Sequence, residues 1–239
     1  MKIQPKLDIL PPAQKELWPQ LKDTPKQFVL YGGTAIALRY GHRVSEDFDF
    51  FSTKQFDIKK TVSDIPYVKN TENAIFRQSE YHVDYLINLK AGQVKVTFLN
   101  RVSVMPGCIN APDLATDNNI KIASPLDLMA GKIFALQARS KDRDYHDLGE
   151  LIKNGVSLQR GFEAAHAIAK LALEEHRQKT PLKALAERLN SLTVNYALPK
   201  HPELVKLIKH EARWIDFDQV NEVNLKVKKD LAYQPELSR

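Results

Sequence analysis

The chain has 239 residues, 43% of them hydrophobic, a formal net charge of +6 and a single cysteine, Cys108. That content supports one substantial core, or a medium core with a helical appendage, and it excludes an intramolecular disulfide and a cysteine-built metal site. No apolar run approaches the roughly 20 residues that span a bilayer, so no membrane partner is expected. Met1 to Asp8 mixes lysine with apolar residues and lacks a signal-peptide core and cleavage site, so a cytoplasmic location is expected. The positive charge leans toward polyanionic partners such as nucleotides or RNA, because a lysine or arginine placed on a phosphate releases a condensed counterion. The lysines are spread along the chain, and a solvated surface accounts for them equally well.

In chain order, Pro11 to Leu21 reads as a short helix interrupted near Pro19. Phe28-Val29-Leu30-Tyr31 is a compact apolar run ending at Gly32-Gly33, as expected of a buried strand. Thr34 to Tyr40 has helical spacing, with Thr34 placed to cap it and Gly41 to end it. Asp47 to Phe51 alternates acid with phenylalanine, the period of a strand with one polar and one apolar face. Tyr81 to Asn88 and Val94 to Leu99 read as further strands joined in a hairpin through Lys90-Ala91-Gly92.

From Ser124 onward the pattern turns helical. Ser124-Pro125-Leu126-Asp127 opens a helix through Gln137, and Asp142 to Leu151 forms the next, ending near Gly155. Phe162 to Glu175, Pro181 to Leu192 and Pro202 to Trp214 follow, the middle one opened by Thr180-Pro181. The tail from Asn221 to Arg239 is charged and weakly periodic. The expected fold class is α+β: a mixed-sheet core over residues 1–122 with flanking helices, followed by a helical C-terminal lobe over 123–239.

Residues two apart on a strand point to the same face, so Asp47 and Asp49 converge while Phe48 and Phe50 turn the other way. Carboxylates that close repel unless a cation sits between them, and Mg²⁺ with hard oxygen ligands suits such a pair plus substrate phosphates. An Asp-x-Asp strand alone is better explained by solvated acids on an edge. The element before it changes the balance. Gly32-Gly33-Thr34 joins a strand directly to a helix, where glycines let a phosphate approach the backbone and free amides hold negative charge. An anion site and a metal site one helix apart suit phosphoryl or nucleotidyl transfer. No lysine follows the glycines in the P-loop position, which excludes that version of the motif.

The run Gly32-Gly33-Thr34-Ala35-Ile36-Ala37-Leu38, followed by His42-Arg43-Val44-Ser45-Glu46-Asp47-Phe48-Asp49-Phe50-Phe51, resembles the signature of the AbiEii/AbiGii-type nucleotidyltransferase toxins. Ser124 to Lys132, Arg139 and Arg143-Asp144-Tyr145-His146-Asp147-Leu148 resemble that family's helical block in the same order. The resemblance covers roughly Leu30 to Leu151. It implies a nucleotidyltransferase-type mixed sheet of the polymerase-β kind with flanking helices, and a toxin of a type IV toxin–antitoxin or abortive-infection system with a cognate antitoxin. It further implies transfer of a nucleotide from a nucleoside triphosphate to RNA, with tRNA as the acceptor class. By position, Gly32, Gly33 and Thr34 would hold the triphosphate, Ser45 would lie near the nucleotide, Lys132 would meet its phosphates, and Asp47 and Asp49 would ligate one or two Mg²⁺ ions.

The second block also makes physical sense without the resemblance. Lys132 and Arg139 lie on one helical face with Leu128 and Ala135, and Asp144 and Asp147 share the buried face of the next helix with Leu148 and Leu151. Buried acids need partners. A salt-bridge cluster of Arg139, Arg143, Asp144 and Asp147 that clamps the two helices competes evenly with a functional role for Arg143 and Asp144, whereas Lys132 is assigned to function. His146-Asp147 is similar to the pair in HD-type metal phosphohydrolases, but the remaining histidines are scattered. His42, just before the acidic strand, either touches substrate or bonds the loop.

The pattern departs from the family fold at one place. A third carboxylate is expected on a later strand, at Val94 to Phe98, to help bind metal and take the proton of the attacking hydroxyl. Thr97 stands there, facing the same way as Lys95. Either another acid, Asp84 or Glu80, supplies the function, or the site works with fewer metal contacts. That departure leaves a catalytically weak nucleotide-sensing or RNA-binding module as one alternative to RNA transfer; a transferase that modifies protein is another.

Overall fold

The computed structural model describes residues 1–54, 56–69, 74–100, 108–171, 182–193, 198 and 200–227. They fall into two compact units: a sheet unit of Met1–Val102 with Asn110–Ser124, and a helical unit of Pro125–Val227 with Cys108 and Ile109.

The sheet unit has β1 (Lys2–Ile3), α1 (Pro12–Leu17), β2 (Val29–Tyr31), α2 (Gly32–Tyr40), β3 (Asp47–Ser52), α3 (Ile58–Ser63), α4 (Pro66–Lys69), β4 (Ala74–Gln78), β5 (His82–Leu89), β6 (Gly92–Asn100), β7 (Asp113–Ala115) and β8 (Lys121–Ile122). Its eight strands lie in the order β1-β7-β8-β2-β3-β6-β5-β4. The sheet is mixed, with β3 antiparallel to β2 but parallel to β6. The Asp/Phe alternation does on β3 what a period of two requires. Phe48 and Phe50 are fully buried: the Phe48 ring lies against Trp18, and the Phe50 ring stacks on Phe98 at 5.5 Å, which Phe28 meets edge-on. Pro19 ends the regular helix as expected, and the chain continues as a 3-10 turn over Trp18–Asp23 that buries Leu21.

The opening of α2 differs from the sequence expectation. The helix starts at Gly32, not after a Thr34 cap, and the residue before it, Tyr31, makes no side-chain cap bond. Gly32 adopts φ +73°, which turns β2 straight into the helix and leaves Thr34 within the first turn. Gly41 ends the helix in the left-handed conformation, as expected. Short elements with no readable period appear as well, namely β1, β4, β7, β8, α3 and α4. A buried ion pair fixes one of them: Arg39 on α2 bonds Asp113 at 2.7 Å and the carbonyl of Ala123. Burial would push the Asp113 carboxyl up, but the Arg39 hydrogen bond and the N-terminal ammonium outweigh it and hold it below the ordinary aspartate value.

The helical unit contains α5 (Pro125–Ala138), α6 (Asp142–Lys153), α7 (Leu158–Leu171), α8 (Leu182–Asn190), α9 (Pro202–Ala212) and α10 (Phe217–Glu222). α5 packs on α6 and α7, and α9 packs on α6 and α8. Gly161 brings α7 close to α5, since a Cβ there would collide with the Met129 side chain. The expected continuation of α7 to Glu175, the Thr180-Pro181 helix start and the tail beyond Val227 lie outside the described residues. None of the described helices is long and apolar enough to cross a membrane.

Candidate active site

The geometry begins with the register of β2 and β3. Tyr31 is the partner of Asp49 in this antiparallel pair, so the turn that follows Tyr31 passes directly over the Asp49 side chain. A Cβ added at Gly32 would stand 2.5 Å from Asp49 Oδ2, so this carboxylate occupies the space that any other residue would need. Gly32 and Gly33 are half-exposed, and α2 begins at that point, so the first-turn amides, which have no acceptor within the helix, lie at this turn.

Asp47 and Asp49 are both half-buried on one face of β3, opposite the buried phenylalanines. Thr34, 1% exposed, shares a hydrogen bond with Ser45 Oγ at 2.8 Å and donates to the backbone carbonyl of Asp47. Thr34 and Ser45 therefore tie the start of α2 to the start of the acidic strand. His42 and Arg43 are half-buried in the connection, where an Arg43 guanidinium nitrogen donates to the Val44 carbonyl.

On the neighbouring strand β6, Lys95 is the partner of Asp47 and Thr97 the partner of Asp49. Among the described residues no acid stands on this face of β6. One strand further out, Asp84 on β5 is the partner of Thr97 and is 4% exposed. Thr97 Oγ1 donates to Asp84 Oδ1 at 2.7 Å, His82 Nε2 lies 2.7 Å from the same oxygen, and Lys95 Nζ lies 3.9 Å from the other. Glu80, the other candidate third acid, is exposed in the turn before β5. Residue type alone does not single out His82. The alternation His82-x-Asp84 within the expected strand was the available signal, since it sets both residues on one face.

Two carboxylates on one face, with a glycine turn moulded around one of them, form a hard-oxygen donor set that fits a divalent cation whose remaining ligands come from substrate phosphates and water. No cluster of three or more histidine, cysteine or acidic side chains placed to hold a metal occurs among the described residues, so protein ligands alone would not complete the coordination shell.

The helical unit gathers the remaining expected residues. Lys132 Nζ lies 3.1 Å from Asp144 Oδ1 and 2.5 Å from Asp147 Oδ2, and Arg139 Nε lies 2.8 Å from Asp144 Oδ2. Asp144 and Asp147 are fully buried with Leu148 and Leu151, as the helical period predicts. Burial would raise the Asp144 carboxyl, but the Arg139 hydrogen bond and the Lys132 charge outweigh it and hold it below the ordinary value. The clamp between α5 and α6 thus exists, with Lys132 at its centre. Arg143 is exposed on α6.

Residues 20–219 match the sequence model of the family described as Nucleotidyl transferase AbiEii toxin, Type IV TA system. An uncharacterized protein of Aquifex aeolicus (strain VF5) is 33% identical over 138 residues, which is 55% of this chain and 61% of that relative. The chain thus spans less than two thirds of the relative's length. Among solved structures, MenT4, a nucleotidyltransferase toxin from Mycobacterium tuberculosis H37Rv, superposes with a TM-score of 0.62 at 16% identity over 87% of this chain and 84% of its own. A structure described as a candidate nucleotidyltransferase from H. pylori superposes with a TM-score of 0.53 at 19% identity, over 89% of this chain and 96% of its own. At these identities the two structures establish a shared mixed α/β fold.

Proposed function

Because the chain belongs to the AbiEii nucleotidyl transferase toxin family of type IV toxin–antitoxin systems, we propose that it moves a nucleotide from a nucleoside triphosphate to an acceptor hydroxyl on RNA, with tRNA as the first acceptor class. The observation that carries this reading is the Gly32 turn moulded on Asp49, with Asp47 on the same face and the amides of α2 opening above them. That arrangement holds a polyphosphate from one side through backbone N–H groups and offers hard oxygens from the other. Asp47 and Asp49 would hold Mg²⁺, one ion or two, which when bound neutralises the charge that develops on the transferred phosphoryl group. Gly32 and Gly33 give the phosphates access to the backbone, while Thr34 and Ser45 keep the helix start in register with the acidic strand. For Lys132 a phosphate-binding role rests on the family resemblance. A cytoplasmic location and a cognate antitoxin belong to the same proposal.

The test is incubation of the purified protein with Mg²⁺, each α-labelled nucleoside triphosphate in turn and total tRNA, beside the Asp47→Asn/Asp49→Asn double variant. Label on RNA is expected from the wild type, with at least a 100-fold loss in the double variant, the scale set by removing preorganised charge from a transfer site. The double variant should stay folded, melting within a few degrees of the wild type, because both side chains are half-exposed on the polar face of the strand and asparagine keeps their size. Equal incorporation by both proteins overturns the proposal. The absence of an acid on the active face of β6 favours one second reading, a nucleotide-sensing or RNA-binding module. Saturable nucleotide binding without label on RNA or protein would establish that reading, whereas label on protein would redirect the acceptor.

A further inference from the structure

Transfer to a hydroxyl requires something to take the hydroxyl proton, and β6 offers no carboxylate for the task. The register places three side chains in one row across the sheet: Asp49 on β3, its partner Thr97 on β6, and Thr97's partner Asp84 on β5. Neighbouring strands lie about 4.8 Å apart, so the backbone at Asp84 stands about 10 Å from that at Asp49, with Thr97 in the row between them. Thr97 fills the gap. Its hydroxyl has one proton and two lone pairs. The proton is committed to Asp84 Oδ1 at 2.7 Å, which leaves the lone pairs for whatever lies over Asp49.

Asp84 is unusual for a strand residue, being 4% exposed. The titratable and charged groups around it are His82 on its own strand, Lys95 on β6 and its register partner Arg77 on β4. A solely structural role would need a partner for each oxygen and no particular alignment with the acidic strand. The alignment with Asp49 is what calls for a further account.

We propose that Thr97 and Asp84 together replace the absent third carboxylate, a step that rests on the nucleotidyl-transfer reading above. The acceptor O–H bond breaks and its proton passes to Thr97 Oγ1, while the proton that Thr97 already holds passes to Asp84 Oδ1. The acceptor oxygen bonds to the α-phosphorus, the P–O bond toward the β-phosphate breaks, and pyrophosphate leaves with that electron pair. Thr97 touches the reacting hydroxyl and is the catalytic residue. Asp84 works through it and is a positioning residue that also stores the proton.

The two roles of Asp84 separate in Asp84→Asn, because an amide oxygen still accepts the Thr97 hydrogen bond but does not take its proton at neutral pH. With Mg²⁺, saturating labelled nucleotide and the acceptor identified for the wild type, Asp84→Asn and Thr97→Val are each expected to lower kcat by about 10²- to 10⁴-fold, the range of general-base contributions. Nucleotide affinity measured by titration and melting temperature should remain within twofold and a few degrees of the wild type, and Thr97→Ser should restore most of the rate. Wild-type kcat in Thr97→Val, a variant that keeps the size of the side chain, overturns the inference even if Asp84→Asn fails to fold. So does wild-type kcat in a folded Asp84→Asn. A wild-type protein that labels no acceptor instead overturns the transfer reading, and this inference with it.

Discussion

Lys132 faces two carboxylates, Asp144 and Asp147, that water does not reach, and Arg139 holds Asp144 from its other side. Taking such charges out of water costs several kcal/mol per ion, and their mutual attraction offsets it only while every partner is present. Lys132→Ala is therefore expected to destabilise the protein by about 3–5 kcal/mol, read as a lower urea midpoint. Arg139→Ala should cost clearly less, because its side chain is half-exposed and Lys132 still compensates Asp144. Equal midpoints for Lys132→Ala and the wild type would show that the clamp does not support the fold. The consequence for function is practical: loss of activity in Lys132→Ala is interpretable only after the folded fraction is known. At this scale the helical period made the buried face of Asp144 and Asp147 legible. Which cation meets them depends on how α5 is rotated against α6, and a spacing of seven residues places Lys132 and Arg139 on one face without saying which is the more buried.

Among the elements, the β2–α2 turn carries the sharpest constraint. Gly32 combines φ +73° with a neighbour where its Cβ would be, whereas Gly131, inside α5, has nothing within 4 Å of an added Cβ. Left-handed backbone costs a non-glycine residue roughly 1–2 kcal/mol, and the collision with Asp49 adds to that. Gly32→Ala is expected to displace the acidic face and abolish most transfer while the protein stays folded. Gly131→Ala should raise stability by about 0.5–1 kcal/mol, the ordinary gain of alanine over glycine in a helix interior. Activity assays paired with thermal melts of the two variants check both signs, and full activity in Gly32→Ala would remove the turn from the site. The strand, turn and helix here were readable because apolar run, glycines and alternation follow one another with distinct periods. The strands β1, β7 and β8 were not, being two or three residues long, too short for any period to register. Thr34 was expected as a cap because its residue type suits one; a glycine that starts the helix two residues earlier left its hydroxyl to Ser45 and Asp47 instead.

Across the whole chain, each unit holds a buried aspartate below its ordinary pKa, Asp113 in the sheet unit and Asp144 in the helical unit. A carboxyl whose folded pKa is depressed binds fewer protons than its unfolded counterpart in the window between the two values. Stability therefore rises with pH there. The contribution is complete above the unfolded value of about 3.9 and is lost as pH falls through the folded values. Urea unfolding should give nearly constant stability through the neutral range contributed by these two groups, and a decline on acidification below about pH 4. Asp113→Asn should be less stable at pH 7 and show a shallower acid decline; an unchanged slope would mean that Asp113 does not titrate with unfolding.

The amino-acid sequence by itself determined the order of a mixed α/β half followed by helices, the polar and apolar faces of the acidic strand, the glycine turn and the buried acids of α6. Each of these is written in a local period or a local backbone requirement. Only the tertiary structure decided that β3 lies between β2 and β6, that Thr97 and Asp84 align with Asp49 while Glu80 does not, and that Arg39 reaches Asp113. Strand order and register are set by side chains distant in sequence competing to bury the same face. No window of neighbouring residues contains that competition.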